Sequence, residues 1–313
     1  MRLSICAVAF ALLSKCLAGG PPPKEMLLGL GRDGKLKKPP GPVVDGKEKL
    51  KRPNTKYFHE PGGSAMLSHY DRRYFHGIAS DEERTDTQSH MIRAYLTFFR
   101  EKKLDTWIAH GTLLGWWWNG RRLPWDFDLD TQVTGRTLLR LGREFNHTRY
   151  KYTSPDSSVR REYLLDVNPW IHQRIRGDGM NVIDARWIDV RNGLYIDITG
   201  LSETQPDTHP GIWTCKNNHR YHMDELYPMR ETVFEGMFAK VPYAYDKILT
   251  DEYREGALVN TEHNGHFWDP RQREWIKSPD RARQDQKAQA ARDREAKKKV
   301  QERKRMEWEA SWP

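Results

Sequence analysis

The sequence predicts an α+β, or mixed α/β, fold for a single domain spanning residues 57–278 of the 313. Three observations carry that prediction. Met91, Ile92, Tyr95, Leu96 and Phe99 recur at helical spacing. Phe127 to Val133 alternates with the two-residue period of a strand. Two apolar runs, 185–190 and 194–199, flank Arg191-Asn192-Gly193, a hairpin signal. Helices interleaved with hairpin-connected strands make a sheet with helices packed on it.

Along the chain, Ser80 with Glu83 three residues on reads as a capping box that opens the first helix. Thr106–Ala109 is a short buried strand, and His110-Gly111-Thr112-Leu113-Leu114-Gly115 follows it directly. A Gly-Thr pair there opens a helix whose free N–H groups and hydroxyl suit a phosphate, although an ordinary helix start has the same appearance. Asn119-Gly120 marks a turn before the alternating strand, and Arg136–Phe145 returns to helical spacing. With Asn192-Gly193 as a two-residue turn, Arg191 pairs with Leu194, Ile188 with Asp197 and Arg186 with Thr199. Asp184, Arg186, Ile188, Tyr195, Asp197 and Thr199 then share one face, with Arg186 diagonal to Asp197.

The flanks read differently. Met1–Ala18 has a basic start, an apolar Leu3–Leu13 run and a small residue at its end, the pattern of a secretory signal. Leu3–Leu13 is too short for the ~20 residues of a spanning helix. Residues 19–56 are rich in Gly, Pro and Lys and read as a flexible stem. Residues 279–313 are charged and nearly free of apolar side chains, a polar helix or a disordered tail. The sequon Asn146-His147-Thr148 makes Asn146 a candidate glycosylation site in the secretory pathway, so the expected location is the ER or Golgi lumen, or outside the cell.

The net charge of +9 belongs to these flanks. Residues 24–56 hold ten Lys/Arg against four Asp/Glu, and residues 271–313 hold fourteen against eight. The middle, 57–270, holds 26 against 31, which argues against nucleic acid as a partner. Of three cysteines, Cys6 and Cys16 lie in the expected signal, leaving Cys215 without an intramolecular disulfide partner once it is removed. Cys215, His219 and His222 lack a fourth partner for zinc.

Asp126, Asp128 and Asp130 alternate on the predicted strand and so project to one side. Such carboxylates repel unless one is protonated or a cation lies between them. Oxygen donors of this kind suit Mg²⁺ or Mn²⁺. An exposed polar edge-strand face is the simpler alternative. Asp197, on the polar face of the hairpin, is either the partner of Arg186 or a third ligand. Arg121, Arg122 and Arg186 are candidates to offset phosphate charge, or else ordinary surface charges.

The block His110-Gly111-Thr112-Leu113-Leu114-Gly115, Arg121-Arg122 and Pro124-Trp125-Asp126-Phe127-Asp128-Leu129-Asp130 resembles the signature of the LicD/fukutin family. Residues 174–189, Asp197-Ile198-Thr199-Gly200, Trp213–Lys216 and Val241-Pro242-Tyr243 resemble fungal LicD-type proteins of cell-wall mannosylphosphorylation. The resemblance covers roughly residues 88–268 and implies a nucleotidyltransferase-like fold, a central mixed sheet flanked by helices. It implies that Asp128, Asp130 and Asp197 are both metal ligands and catalytic, and that Gly111 and Thr112 hold donor phosphate. His110, Asp126 and Asp184 are placed behind those ligands.

The expected activity is metal-dependent transfer of a phosphorylated sugar or alcohol onto a glycan hydroxyl, with mannose-1-phosphate from GDP-mannose as the leading case and a CDP-alcohol as the other donor class. Two further readings stay open. One is a non-catalytic regulator bound to a partner glycosyl- or mannosylphosphate transferase. The other is an Asp-x-Asp glycosyltransferase, which would release a nucleoside diphosphate instead of a monophosphate.

Overall fold

The computed structural model describes residues 56–312. The expected signal (1–18) and all but the last residue of the expected stem lie outside them. The fold is mixed α/β, with a central mixed sheet flanked by helices. Chain order runs α1 (Asp81–Glu101), β1 (Trp107–Ile108), α2 (His110–Asn119), β2 (Asp130–Thr134), α3 (Gly135–Arg140), β3 (Thr148–Thr153), β4 (Arg160–Val167), β5 (Ala185–Asp189) and β6 (Tyr195–Glu203). Then follow β7 (Ile212–Thr214), β8 (Arg220–His222), α4 (Met223–Leu226), β9 (Arg230–Phe234), β10 (Met237–Val241), α5 (Tyr245–Tyr253) and α6 (Gly256–Val259). A small sheet of β11 (Glu262–His263), β12 (His266–Asp269) and β13 (Glu274–Lys277) precedes α7 (Pro279–Ala310).

The main sheet runs β1-β2-β6-β5-β4-β3, antiparallel throughout except for the parallel β2–β6 pair. That parallel pair decides the site, because it sets Asp130 beside Asp197 in register.

Helix α1 starts where Ser80 Oγ accepts from the Glu83 N–H at 3.1 Å. Its apolar face is the expected one: Met91, Ile92, Tyr95, Leu96 and Phe99 are all buried, joined by Phe98. These side chains close on Trp187 at the centre of the sheet, with ring centroids 6.0 Å from Tyr95 and 5.2 Å from Phe98. At ~1.5–3 kcal/mol for each large side chain buried, this face accounts for much of the helix's stability.

The opposite face of the sheet is covered by chain preceding α1. Tyr70 bridges to Leu194, the Asp71 N–H donates to the Gly193 carbonyl at 2.7 Å, and Tyr74 packs against Leu164, Ile188 and Tyr195. The face expected to be merely polar is therefore enclosed.

Two expectations are corrected. The hairpin pairs Arg186 directly with Asp197 and Ala185 with Ile198, two residues away from the expected register, and its loop is four residues long, 190–193. A shift of two leaves every side chain on its expected face. The longer loop arises because Asn192 is buried and donates to Thr87 at 3.1 Å, so only Gly193, at φ +83°, takes the left-handed conformation. The second correction concerns the acidic strand, which is paired from Asp130 and not from Phe127. Its neighbour β1 gives way to α2 after Ile108, so residues 126–129 have no strand beside them on that edge.

Helix α7 is capped by Ser278, whose Oγ accepts from the Arg281 N–H. Pairs such as Glu295–Lys299 and Arg305–Glu309, four residues apart, line its exposed length. Among the described residues no helix is long and apolar enough to cross a membrane.

Candidate active site

The end of β1, the start of α2 and the chain entering β2 come together around a cavity of about 510 Å³. Gly111, Asp126, Asp128 and Asp130 form its acidic floor, and Trp118, Trp125, Tyr253 and Trp275 form an aromatic wall. The indoles pack edge to face, with Trp275 centroids 4.7 Å from Trp118 and 4.9 Å from Trp125. Flat rings with one side on solvent suit stacking of a base or sugar. Among the described residues lining the cavity there is no Lys or Arg.

Several local devices hold the carboxylates. Thr112, itself buried, accepts from the Asp130 N–H at 2.8 Å through its Oγ1, which fixes the first residue of β2 against α2. The Asp197 N–H donates to the Leu129 carbonyl at 3.0 Å, and Leu129 is buried in the core, so the alternation turns Asp128 and Asp130 outward. Asp128 is the more open of the two, with 38% of its side chain exposed and His69 Nδ1 3.7 Å from its Oδ2.

Burial, the hydrogen bond with Asp128 and the charges of Asp128 and Asp130 all push the Asp126 carboxyl up. Burial and Asp128 push Asp130 up, against the opposing pull of His110. Burial also raises Asp197, while Arg186 works against it. A pocket crowded with acids, with His263 but no Lys or Arg among the described residues lining it, fits a divalent cation. Asp126, Asp128 and Asp130 are the residues that would hold it, with Asp197 on the adjoining strand.

Gly111 is required at its position by Asp126. A Cβ built there would stand 2.4 Å from Asp126 Oδ2. Gly111→Ala is expected to leave the fold intact, with under ~1 kcal/mol of change, because only the tip of one side chain must move. The displaced carboxylate should weaken Mn²⁺ binding about tenfold. Isothermal titration with Mn²⁺, beside a thermal melt, measures both.

The other expected site residues separate. Thr112 ties down the backbone of β2, so its hydroxyl is not turned to a phosphate. Arg186 is corrected from a phosphate contact to a buried ion-pair centre. Its Nε donates to Asp197 Oδ1 at 2.8 Å and its Nη2 to Glu60 Oε1 at 2.7 Å, while its plane lies over Tyr195 and Phe58. Arg121 and Arg122 line a different cleft, next to Glu235 and Glu274, and Arg121 pairs with Glu274 at 2.6 Å. Nor does Asp184 support the carboxylates. It is fully buried, bonded to Arg174, Lys216 and the Gly200 N–H, and acts as a structural anchor. Asn146 is exposed, with its side-chain oxygen accepting from the Val167 N–H at 2.9 Å.

His110 does not touch the carboxylates directly. Its Nδ1 meets Glu252 Oε2 at 2.9 Å. Burial alone would lower its pKa, but the Glu252 hydrogen bond and the charge of Asp130 raise it. Glu252, Tyr253, Trp275 and His69 are site residues that the sequence did not mark. They arrive from the C-terminal helices, the small sheet and the chain before α1, and no motif links them to the Asp-rich block.

Carboxylates in register on two adjacent strands, beside a helix that opens at His110-Gly111-Thr112, are the arrangement of a nucleotidyltransferase-type site. Residues 103–244 match the family model described as LicD/FKTN/FKRP, nucleotidyltransferase domain. In Saccharomyces cerevisiae it is similar to mannosyltransferase regulator 4, at 38% identity over 156 residues, which is 48% of this chain and 13% of that protein. It is also similar to mannosyltransferase regulator 14, at 37% identity over 155 residues, 47% of this chain and 16% of that one. The matched stretch is thus a small part of each relative.

Proposed function

We propose that the protein is a metal-dependent transferase of the secretory pathway that moves a phosphorylated sugar, with mannose-1-phosphate from GDP-mannose as the leading case, onto a glycan hydroxyl. A single observation carries this reading: Asp126, Asp128 and Asp130 converge on one cavity with no Lys or Arg among the described residues lining it, and Asp130 lies in register with Asp197. An anionic donor entering such a cavity needs its charge offset, and bound Mg²⁺ or Mn²⁺ supplies that neutralisation and Lewis-acid polarisation of the phosphoryl oxygens.

The chain's own residues do the remainder. The aromatic wall holds the base or sugar of the donor, and the exposed approach to Asp128 admits the acceptor. The acceptor oxygen forms a bond to the phosphorus that carries mannose. The bond from that phosphorus to the bridging oxygen breaks, and GMP leaves with the bonding electrons. The hydroxyl proton passes to the Asp128 carboxylate, beside which His69 is placed to carry it to solvent.

A second reading is favoured by the Arg186–Asp197 pair, which already occupies one oxygen of the third carboxylate. In it the protein is a regulator of a mannosyltransferase, as the names of its yeast relatives describe them. Incubation with GDP-mannose, CDP-ribitol or CDP-choline, Mn²⁺ and a mannan oligosaccharide separates the readings. The enzyme releases GMP or CMP and adds phosphate to the glycan. Release of GDP with unphosphorylated mannose transfer would instead identify a glycosyltransferase. No turnover of any donor by folded protein, with activation of an added mannosylphosphate transferase, would establish the regulator.

A further inference from the structure

His110 at the start of α2, His219 in the β7–β8 connection and Glu252 near the end of α5 meet beside the acidic cavity. Each offers one ligand atom, and those atoms all lie within 4.8 Å of one another. We propose that these three side chains bind one zinc-class divalent ion, distinct from the ion expected at the carboxylates and independent of the transferase reading.

The neighbours of the three side chains turn their ligand atoms inward. The Tyr221 hydroxyl donates to Glu252 Oε1 at 3.0 Å, which leaves Oε2 facing His110 Nδ1 at 2.9 Å. His219 Nδ1 lies 3.4 Å from Cys215 Sγ, so Nε2 is its remaining ligand atom, and the two imidazole rings are 4.2 Å apart. The Gln132 amide contacts the far nitrogen of His110 at 3.4 Å. Outer contacts of this kind orient ligating histidines.

Two imidazoles and a carboxylate match zinc better than magnesium, which takes oxygen and water. Zinc bonds of ~2.0–2.2 Å place neighbouring ligand atoms roughly 3.3 Å apart, so the His110–Glu252 contact needs only a small opening. Binding displaces the proton on His110 Nδ1, because a ligating imidazole nitrogen carries none. His219 and Glu252 also line a groove with Tyr221, Lys247 and Asp251, from which water would supply the fourth ligand. The ion therefore ties α2, α5 and the β7–β8 connection at one point. A plain His110–Glu252 ion pair has no use for His219, which distinguishes the two accounts.

The test is zinc content of the full chain by mass spectrometry, after equilibration with equimolar zinc and desalting. About one zinc per chain is expected. His219→Ala and Glu252→Gln should each lower it at least about tenfold, Cys215→Ser should weaken affinity about tenfold, and Asp128→Asn should retain the ion. X-ray absorption at the zinc edge of the wild type, which needs no variant to fold, should show nitrogen and oxygen at ~2.0–2.1 Å and no sulfur at ~2.3 Å. Zinc-free wild type, full loading of His219→Ala, loss of zinc in Asp128→Asn, or a sulfur shell would each overturn the proposal.

Discussion

Asp130→Asn is expected to lower transfer about a thousandfold while leaving the metal-free protein more stable, not less. The two halves have a common cause. Asp130 opens β2 beside Asp197, and burial together with the charge of Asp128 holds its carboxyl above the usual range. A group whose folded pKa exceeds its unfolded value contributes its full stability below the unfolded value, ~4 for a carboxylate, and loses it as pH rises through the folded one. Metal-free wild type should therefore weaken from acid towards neutral pH. The amide has no proton to lose, so the variant's melting temperature should vary less with pH over that window. Added Mn²⁺ should raise wild-type stability by an amount that grows with pH, because cation and proton compete for the same oxygens, and should do little for the variant. The kinetic half follows from ion placement: a loss of about 4 kcal/mol of charge stabilisation is about a thousandfold in rate. Melts across pH with and without Mn²⁺, beside a transfer assay, test both halves. A variant that melts lower than wild type at neutral pH without metal would show that Asp130 is a structural carboxylate.

The sequence revealed the parts of this arrangement that follow from period and local chemistry. The apolar face of α1, the Ser80 cap and the inward turn of Leu129 follow from side-chain spacing, which a single chain displays. Face assignments on the β5–β6 hairpin survived a register error of two, since alternation repeats at that interval. Residues such as His69 and Glu252 were not legible, because their place depends on tertiary closure. Glu252 lies 142 residues from the histidine it bonds, and no local pattern distinguishes it from a surface acid. The arginines illustrate the converse. Arg121, Arg122 and Arg186 are the right residue type for a phosphate, and the first two are close to the motif in sequence, yet Glu274 claims Arg121, Asp197 claims Arg186, and the other cleft takes Arg121 and Arg122.

Arg186→Met is expected to destabilise the fold by about 3–5 kcal/mol, on the order of 10 °C in Tm for a domain of this size. The guanidinium is enclosed between Glu60 and Asp197 and over two aromatic rings, so its removal leaves two largely buried carboxylates facing one another, Asp197 without its cation and Glu60 with only Lys56. Most of the cost lies in those stranded charges, not in the lost pair itself. Adding Glu60→Gln and Asp197→Asn to the same chain should recover most of it. The Mn²⁺ response of the single variant then bears on Asp197. If Asp197 can turn to a cation beside Asp130, Mn²⁺ takes over the charge that Arg186 supplied, and the metal-induced gain in Tm exceeds that of wild type. If Asp197 is only the acid partner of Arg186, the gain equals that of wild type and the deficit persists. The first outcome gives the parallel β2–β6 pair a role in holding the ion, because register alone brings the two acids together. The second confines the metal to Asp126, Asp128 and Asp130, and leaves Arg186 and Asp197 as the clasp that fastens the chain before α1 to the sheet.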